Sequence, residues 1–123
     1  MIIGIGTDII EIERIKSAIL NTNGFSEKTF TLHERNSVKG INAYQSFAGY
    51  FAAKEAFSKA LGTGFRGFNM KDIEVYKDTL GKPNIRALGK AKERCDEIGA
   101  MNIHVSISHN KQNAVAFVVL EGK

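Results

Sequence analysis

Cysteine is nearly missing from this 123-residue sequence: Cys95 stands alone in a polar stretch, so no intrachain disulfide can form. A lone thiol fits a reducing compartment, and with no cysteine or histidine cluster around it a zinc site is disfavoured. A basic, apolar leader is also lacking, because Met1–Thr7 runs straight into the carboxylate of Asp8. Neither a signal peptide nor a membrane anchor is therefore expected, and the expected location is cytoplasmic. There is no low-complexity tract and no dense basic run interleaved with aromatics, which argues against nucleic acid as a partner. Walker, Gly-x-Ser-x-Gly and His-Glu-x-x-His patterns are all absent.

What is present is ordinary for a folded domain: 43% hydrophobic and 24% charged residues. The length fits one compact domain over 1–123 and leaves little room for two. A domain this small that handles a large substrate often borrows surface from a second subunit. The 17 Lys and Arg against 13 Asp and Glu leave a net charge of +4. That excess suits an anionic partner such as a phosphorylated cofactor or an acidic protein.

The spacing of apolar residues predicts an α+β fold, a small antiparallel sheet packed on one long helix. A short strand is expected over 2–7. Asp8-Ile9-Ile10-Glu11 has the form of a capping box, and Ile12, Ile15, Ile19 and Leu20 continue at helical spacing, predicting a helix over 9–20. A second capping box, Thr31 to Glu34, predicts a short helix before Gly40. The main helix is expected over 43–61, with Phe47, Phe51, Ala52, Phe57 and Leu61 on its buried face and Gly62 as a left-handed terminator. Strands at 73–76 and 84–86 flank a turn at 78–83, and a helix is expected over 88–98. Ile103, Val105 and Ile107 alternate as a half-buried strand, while the continuously apolar run 114–120 reads as a central one.

Six features could carry chemistry, and each has a plain structural reading beside it. Asp8 at a strand end could bind a hard cation or simply cap the helix that follows. Glu55 and Lys59, four apart with Lys54 beside them, could serve a metal and a phosphate, or form an exposed ion pair worth roughly 0.3–0.5 kcal/mol. Gly62-Thr63-Gly64 could bring backbone amides to a phosphate, or merely end the helix. His109 could contact phosphate or accept a proton, or be solvated in its turn. Arg14 on the first helix and Gly81-Lys82-Pro83 read by default as a surface arginine and a hairpin turn.

Taken together, these segments resemble the holo-acyl-carrier-protein synthases, the short phosphopantetheinyl transferases, from end to end. The resemblance is carried by Gly4-Ile5-Gly6-Thr7-Asp8-Ile9, by Phe51-Ala52-Ala53-Lys54-Glu55-Ala56-Phe57-Ser58-Lys59-Ala60-Leu61-Gly62-Thr63-Gly64, and then by Asp72-Ile73-Glu74-Val75, Gly81-Lys82-Pro83 and Val105-Ser106-Ile107-Ser108-His109. It implies transfer of phosphopantetheine from coenzyme A to a serine of an acyl carrier protein, in support of fatty acid biosynthesis. Asp8 and Glu55 would hold Mg²⁺ against the pyrophosphate, and Lys59 would offset charge on the bridging oxygen. Gly62, Thr63, Gly64 and Pro83 would pass beside the cofactor, with Ser108 and His109 at its phosphorylated ribose. Glu55, or a water on the metal, is the expected proton acceptor, and Arg14 would pair with acidic residues of the carrier protein. The resemblance further implies a homotrimer with cofactor sites in the clefts between subunits.

One position departs from the pattern: relatives commonly carry arginine just before the aromatic-Ala-Ala-Lys-Glu block, where this sequence has Tyr50. A tyrosine brings one hydrogen-bonding hydroxyl and no charge. Three rival readings compete with the transferase: a metal-independent binding module, a metal-dependent phosphohydrolase that cleaves coenzyme A without an acceptor, and a basic nucleic-acid binder.

Overall fold

The computed structural model describes residues 1–123. Its elements run β1 (Ile2–Glu11), α1 (Ile12–Asn21), α2 (Phe25–Thr29), α3 (Leu32–Ser37), α4 (Ala43–Ala60), β2 (Ile73–Lys77), β3 (Pro83–Ala87), α5 (Gly89–Ile98), β4 (Asn102–His109) and β5 (Asn113–Glu121). A single 3₁₀ turn, Met70–Asp72, leads into β2. The α+β expectation holds, with the five strands divided between two antiparallel sheets, β1–β5–β4 and the hairpin β2–β3. The apolar run that reads as a central strand is indeed β5, hydrogen-bonded on both sides.

The helix expected to begin at residue 9 begins at Ile12. Asp8 does not cap it: β1 continues through Asp8 to Glu11, and the N-cap, Glu11, makes no side-chain hydrogen bond. A cap contributes about 1 kcal/mol, whereas β5 offers β1 a ladder partner at every residue from Gly4 to Glu11, so the strand wins. The second capping box does form, with the Thr31 hydroxyl accepting from Glu34 N–H and a Glu34 carboxylate oxygen accepting from Thr31 N–H. Gly62 and Gly99 take the left-handed conformation just past α4 and α5, at φ of 82° and 76°.

α4 is the axis of the molecule. Ala52, Ala53, Ala56, Phe57 and Ala60 are buried against Val118, Leu120 and Ala116 of β5 on one side and Ile73 and Val75 of β2 on the other. Alanines rather than larger residues face β1, and β1 answers with glycines. A β-carbon on Gly6 would lie 1.9 Å from the Ala56 carbonyl oxygen, and one on Gly4 would lie 2.1 Å from that of Ala60. Only glycine permits so close an approach of strand to helix backbone. No helix is long and apolar enough to cross a membrane.

The opposite face of the three-stranded sheet has no cover within the chain. Alternation along the paired strands puts Ile5 and Ile9 of β1, Val115 and Phe117 of β5, and His104, Ser106 and Ser108 of β4 on that face. Ile5 and Ile9 are 60% and 66% exposed, and Phe117 is 46% exposed.

Candidate active site

Strand alternation places Asp8 on the same face as Gly4 and Gly6, so the close glycine contact carries its carboxylate to the flank of α4. There Lys59 donates to it at 3.1 Å and to the Thr7 carbonyl at 3.0 Å. The i,i+4 pairing of Glu55 with Lys59, expected as the plain reading, is not what forms; Lys59 reaches across to β1 instead. Glu55 stands one turn earlier on α4. Burial first, and the nearby Asp8 charge second, push its carboxyl above the ordinary carboxylate range, against the opposing pull of Lys59.

This arrangement fits a hard cation. Two carboxylates brought together against their mutual repulsion gain from a positive ion between them. No third carboxylate, imidazole or thiolate completes a closed cage. Mg²⁺ characteristically takes one or two carboxylates and fills its remaining positions with water and substrate phosphate, so the pair suits it.

The loop after α4 is tied to the same place. Gly62 N–H bonds the Lys59 carbonyl at 2.9 Å and Gly64 N–H bonds the Ser58 carbonyl at 3.1 Å. Both glycines have positive φ, while the Thr63 hydroxyl donates to the Gly64 carbonyl at 2.9 Å. Gly62, Thr63 and Gly64 thus stand beside Lys59.

A second group of expected residues gathers elsewhere. Pro83 and His109 line a groove of about 210 Å³ with Tyr50, Gly81, Lys77 and Gln45. His109 shares a sheet face and a cross-strand row with Ala114 and Ile10, two strand spacings (about 10 Å) from β1. Between them Ala114 is buried under Ile12, Ile15 and Ala48. One chain therefore holds two separate half-sites. Ser108 does not join His109, because alternation turns it to the open face of the sheet. Arg14 is exposed on α1 and takes part in none of the chain's ion pairs. Wider hollows beside Phe65 and Phe68 (about 610 Å³) and around Glu11 and Lys111 (about 480 Å³) contain none of the expected residues.

Sequence reasoning missed what lies behind the site. Lys54, grouped with exposed neighbours by its position in the motif, is fully buried. Its ammonium pairs with Glu34 at 2.8 Å and donates to the carbonyls of Met70 (3.0 Å) and Ile73, so all three of its protons find acceptors. Glu34 in turn accepts from Val75 N–H at 2.7 Å. Burial pulls the Lys54 ammonium below the ordinary lysine range, with Glu34 holding it up. This pair clamps α3 and β2 to α4. The available signal was Glu34 itself, a capping-box carboxylate whose second oxygen was left without a partner.

A model of the 4'-phosphopantetheinyl transferase superfamily matches residues 4–118. A holo-[acyl-carrier-protein] synthase of Clostridium beijerinckii is 54% identical over 123 residues, covering 98% of each chain. One from Clostridium tetani is 49% identical, covering all of this chain and 98% of its own. Among solved structures, the Bacillus anthracis synthase in complex with coenzyme A (3',5'-ADP) superposes with a TM-score of 0.82 at 42% identity, over 100% of this chain and 99% of that one. The Helicobacter pylori synthase in complex with coenzyme A gives 0.84 at 34% identity, over 95% and 99%. The chain belongs to the 4'-phosphopantetheinyl transferase superfamily, among its holo-[acyl-carrier-protein] synthases.

Proposed function

We propose that this chain, acting as one catalytic unit over 1–123, moves the 4'-phosphopantetheine arm of coenzyme A onto a serine of apo acyl carrier protein. The observation that supports it most is the convergence of Asp8, Glu55 and Lys59 where β1 meets α4. Asp8 and Glu55 would hold Mg²⁺, which when bound neutralises the pyrophosphate and withdraws charge from the leaving group. The acceptor serine oxygen attacks the β-phosphorus. The bond from that phosphorus to the bridging oxygen breaks, and adenosine 3',5'-bisphosphate leaves. Glu55, whose carboxyl already holds its proton more tightly than an ordinary glutamate, takes the serine proton. Lys59 is exposed enough to swing from Asp8 toward the phosphates and offset the charge that develops on the bridging oxygen. Gly62, Thr63 and Gly64 border the cofactor on that side.

Pro83 and His109 would take the adenosine end. Because buried core separates them from Asp8 within one chain, a single coenzyme A would draw its two half-sites from neighbouring subunits. The open apolar face of the β1–β5–β4 sheet supports that arrangement, and we assign it to a homotrimer interface. Ser108 lies on that face, at the subunit boundary. Exposed Arg14 would meet an acidic carrier protein. Such an enzyme would work in the cytoplasm and serve fatty acid biosynthesis.

Intact-mass spectrometry tests the reading. Apo acyl carrier protein incubated with this chain, coenzyme A and Mg²⁺ should gain about 340 Da, one phosphopantetheine arm, and a chelator should abolish the gain. Release of adenosine 3',5'-bisphosphate with no mass gain on the carrier would make the chain a hydrolase instead.

A further inference from the structure

Lys54 takes no part in the chemistry above, yet the fold buries its ammonium completely and gives each of its protons a partner. Two of those partners, the carbonyls of Met70 and Ile73, lie where the segment after α4 ends. The same segment begins at Gly62, whose N–H bonds the Lys59 carbonyl, and continues to Gly64, whose N–H bonds that of Ser58. Both ends of the 62–72 loop are thus fastened to one helix, at points about 6–8 Å apart along its axis. Between the fastenings the loop is pliable: Gly62, Gly64 and Gly67 all have positive φ, and glycine has the most backbone freedom to lose. The Phe65 and Phe68 rings meet at 5.4 Å and Phe68 is buried, but apolar contact is non-directional and does not fix where the chain re-enters. The bonds from Lys54 do. Its ammonium is itself held in place by Glu34, whose carboxylate accepts from Thr31 N–H at 2.8 Å and Val75 N–H at 2.7 Å.

We propose that Lys54 is a positioning residue: by holding the far end of the 62–72 loop, it sets Gly62, Thr63 and Gly64 beside coenzyme A and so tunes the affinity for that substrate. The proposal rests on the reading of this chain as a coenzyme A-dependent transferase. Fully buried, Lys54 cannot reach the substrate itself and acts through the loop. A loop pinned at one end only spreads over several conformations, and coenzyme A then has to select the one that fits. Apparent affinity falls by the fraction of molecules in that conformation, so a loop in place one time in ten binds about tenfold more weakly.

K54M alone would strand the Glu34 carboxylate and endanger the fold, so the test pairs two other variants. E34Q removes the ion pair but keeps the amine, which burial already draws below the ordinary lysine range. In its neutral form that amine still has two N–H groups for the two loop carbonyls. K54M/E34Q removes both charges together, and the bonds to the loop with them. E34Q should be the less stable of the two in urea unfolding, because it leaves a buried amine without its carboxylate. It should nevertheless keep the KM for coenzyme A within about twofold of wild type, whereas K54M/E34Q should raise it about tenfold with kcat within about threefold. A purely structural Lys54 predicts the reverse order, KM following stability, and that order overturns the proposal. Trypsin reads the loop directly at exposed Arg66. Cleavage there should be faster in K54M/E34Q than in E34Q, and equal rates would also overturn it. Calorimetric titration with coenzyme A and Mg²⁺ needs no carrier protein and separates this from failure of the functional reading. A wild-type chain that modifies no carrier, beside a K54M/E34Q variant that loses affinity for coenzyme A, would sink only the transferase.

Discussion

Glu55 sets the residue scale. Its carboxyl is raised because folding buries it and places Asp8 beside it. A group whose folded pKa lies above its unfolded value contributes its stability at low pH and loses it as pH rises through the folded pKa. At neutral pH the charged Glu55 is thus a liability in the metal-free chain. E55Q removes that liability. It should raise the melting temperature of the metal-free protein at about pH 7.5, and the advantage should close near pH 4, where the wild-type group is protonated. The same variant should lower turnover by at least about 10²-fold, the scale of a lost general base. A melting temperature that falls at neutral pH would contradict the stated environment of Glu55. Mg²⁺ should stabilise wild type more than E55Q, since it relieves the same repulsion.

At the scale of elements, the meeting of β1 with α4 decides whether Asp8 can reach Lys59. Gly4 and Gly6 bring the strand against the Ala56 and Ala60 carbonyls, and the obstructing atoms are backbone, which cannot rotate away. G6A should therefore force the strand outward and cost about 1–3 kcal/mol in urea unfolding. Turnover in molecules that remain folded should also drop, because Asp8 lies two residues along the same strand face. A variant that loses stability but keeps full kcat would show that the contact serves the core alone. Behind α4 the Lys54–Glu34 pair plays a complementary part. It ties β2, and through the hairpin Lys77 and Pro83, to the helix that bears Glu55 and Lys59. Removing either partner would leave a buried charge unpaired, so this clamp is far less tolerant than an exposed ion pair.

For the whole molecule the open sheet face is the decisive feature. β5 is apolar on both faces, and strands of that kind are normally covered on both. α4 covers one. Ile5, Ile9, Val115 and Phe117 stand exposed on the other, the face proposed above as the subunit interface. F117D should convert the assembly to a smaller species in sedimentation velocity while leaving the far-ultraviolet circular dichroism unchanged. Activity should fall with the loss of assembly, because the Asp8 and His109 half-sites would no longer face one another. A monomeric F117D variant that remains fully active would place the whole site within one chain.

The sequence by itself determined what short-range spacing can encode. The helical period from Phe47 to Leu61, with Gly62 beyond it, bounds α4 to within one residue, and the apolar run 114–120 marks the central strand. Motif resemblance likewise singled out Asp8, Glu55 and Lys59, of which Lys59 and Asp8 meet in an ion pair. Short α2 escaped because five residues are too few to show a period. Tertiary structure alone decided the rest. Asp8 belongs to a strand rather than a cap because β5, more than 100 residues later, offers it a partner. Lys59 turns to Asp8, 51 residues away, rather than to Glu55 in the previous turn of its own helix. Lys54 is buried although its neighbours in the motif are not, because Glu34 and the β2 segment close over it. Local propensity is a matter of tenths to about one kcal/mol per residue, and burial and pairing across the chain exceed it wherever the two disagree.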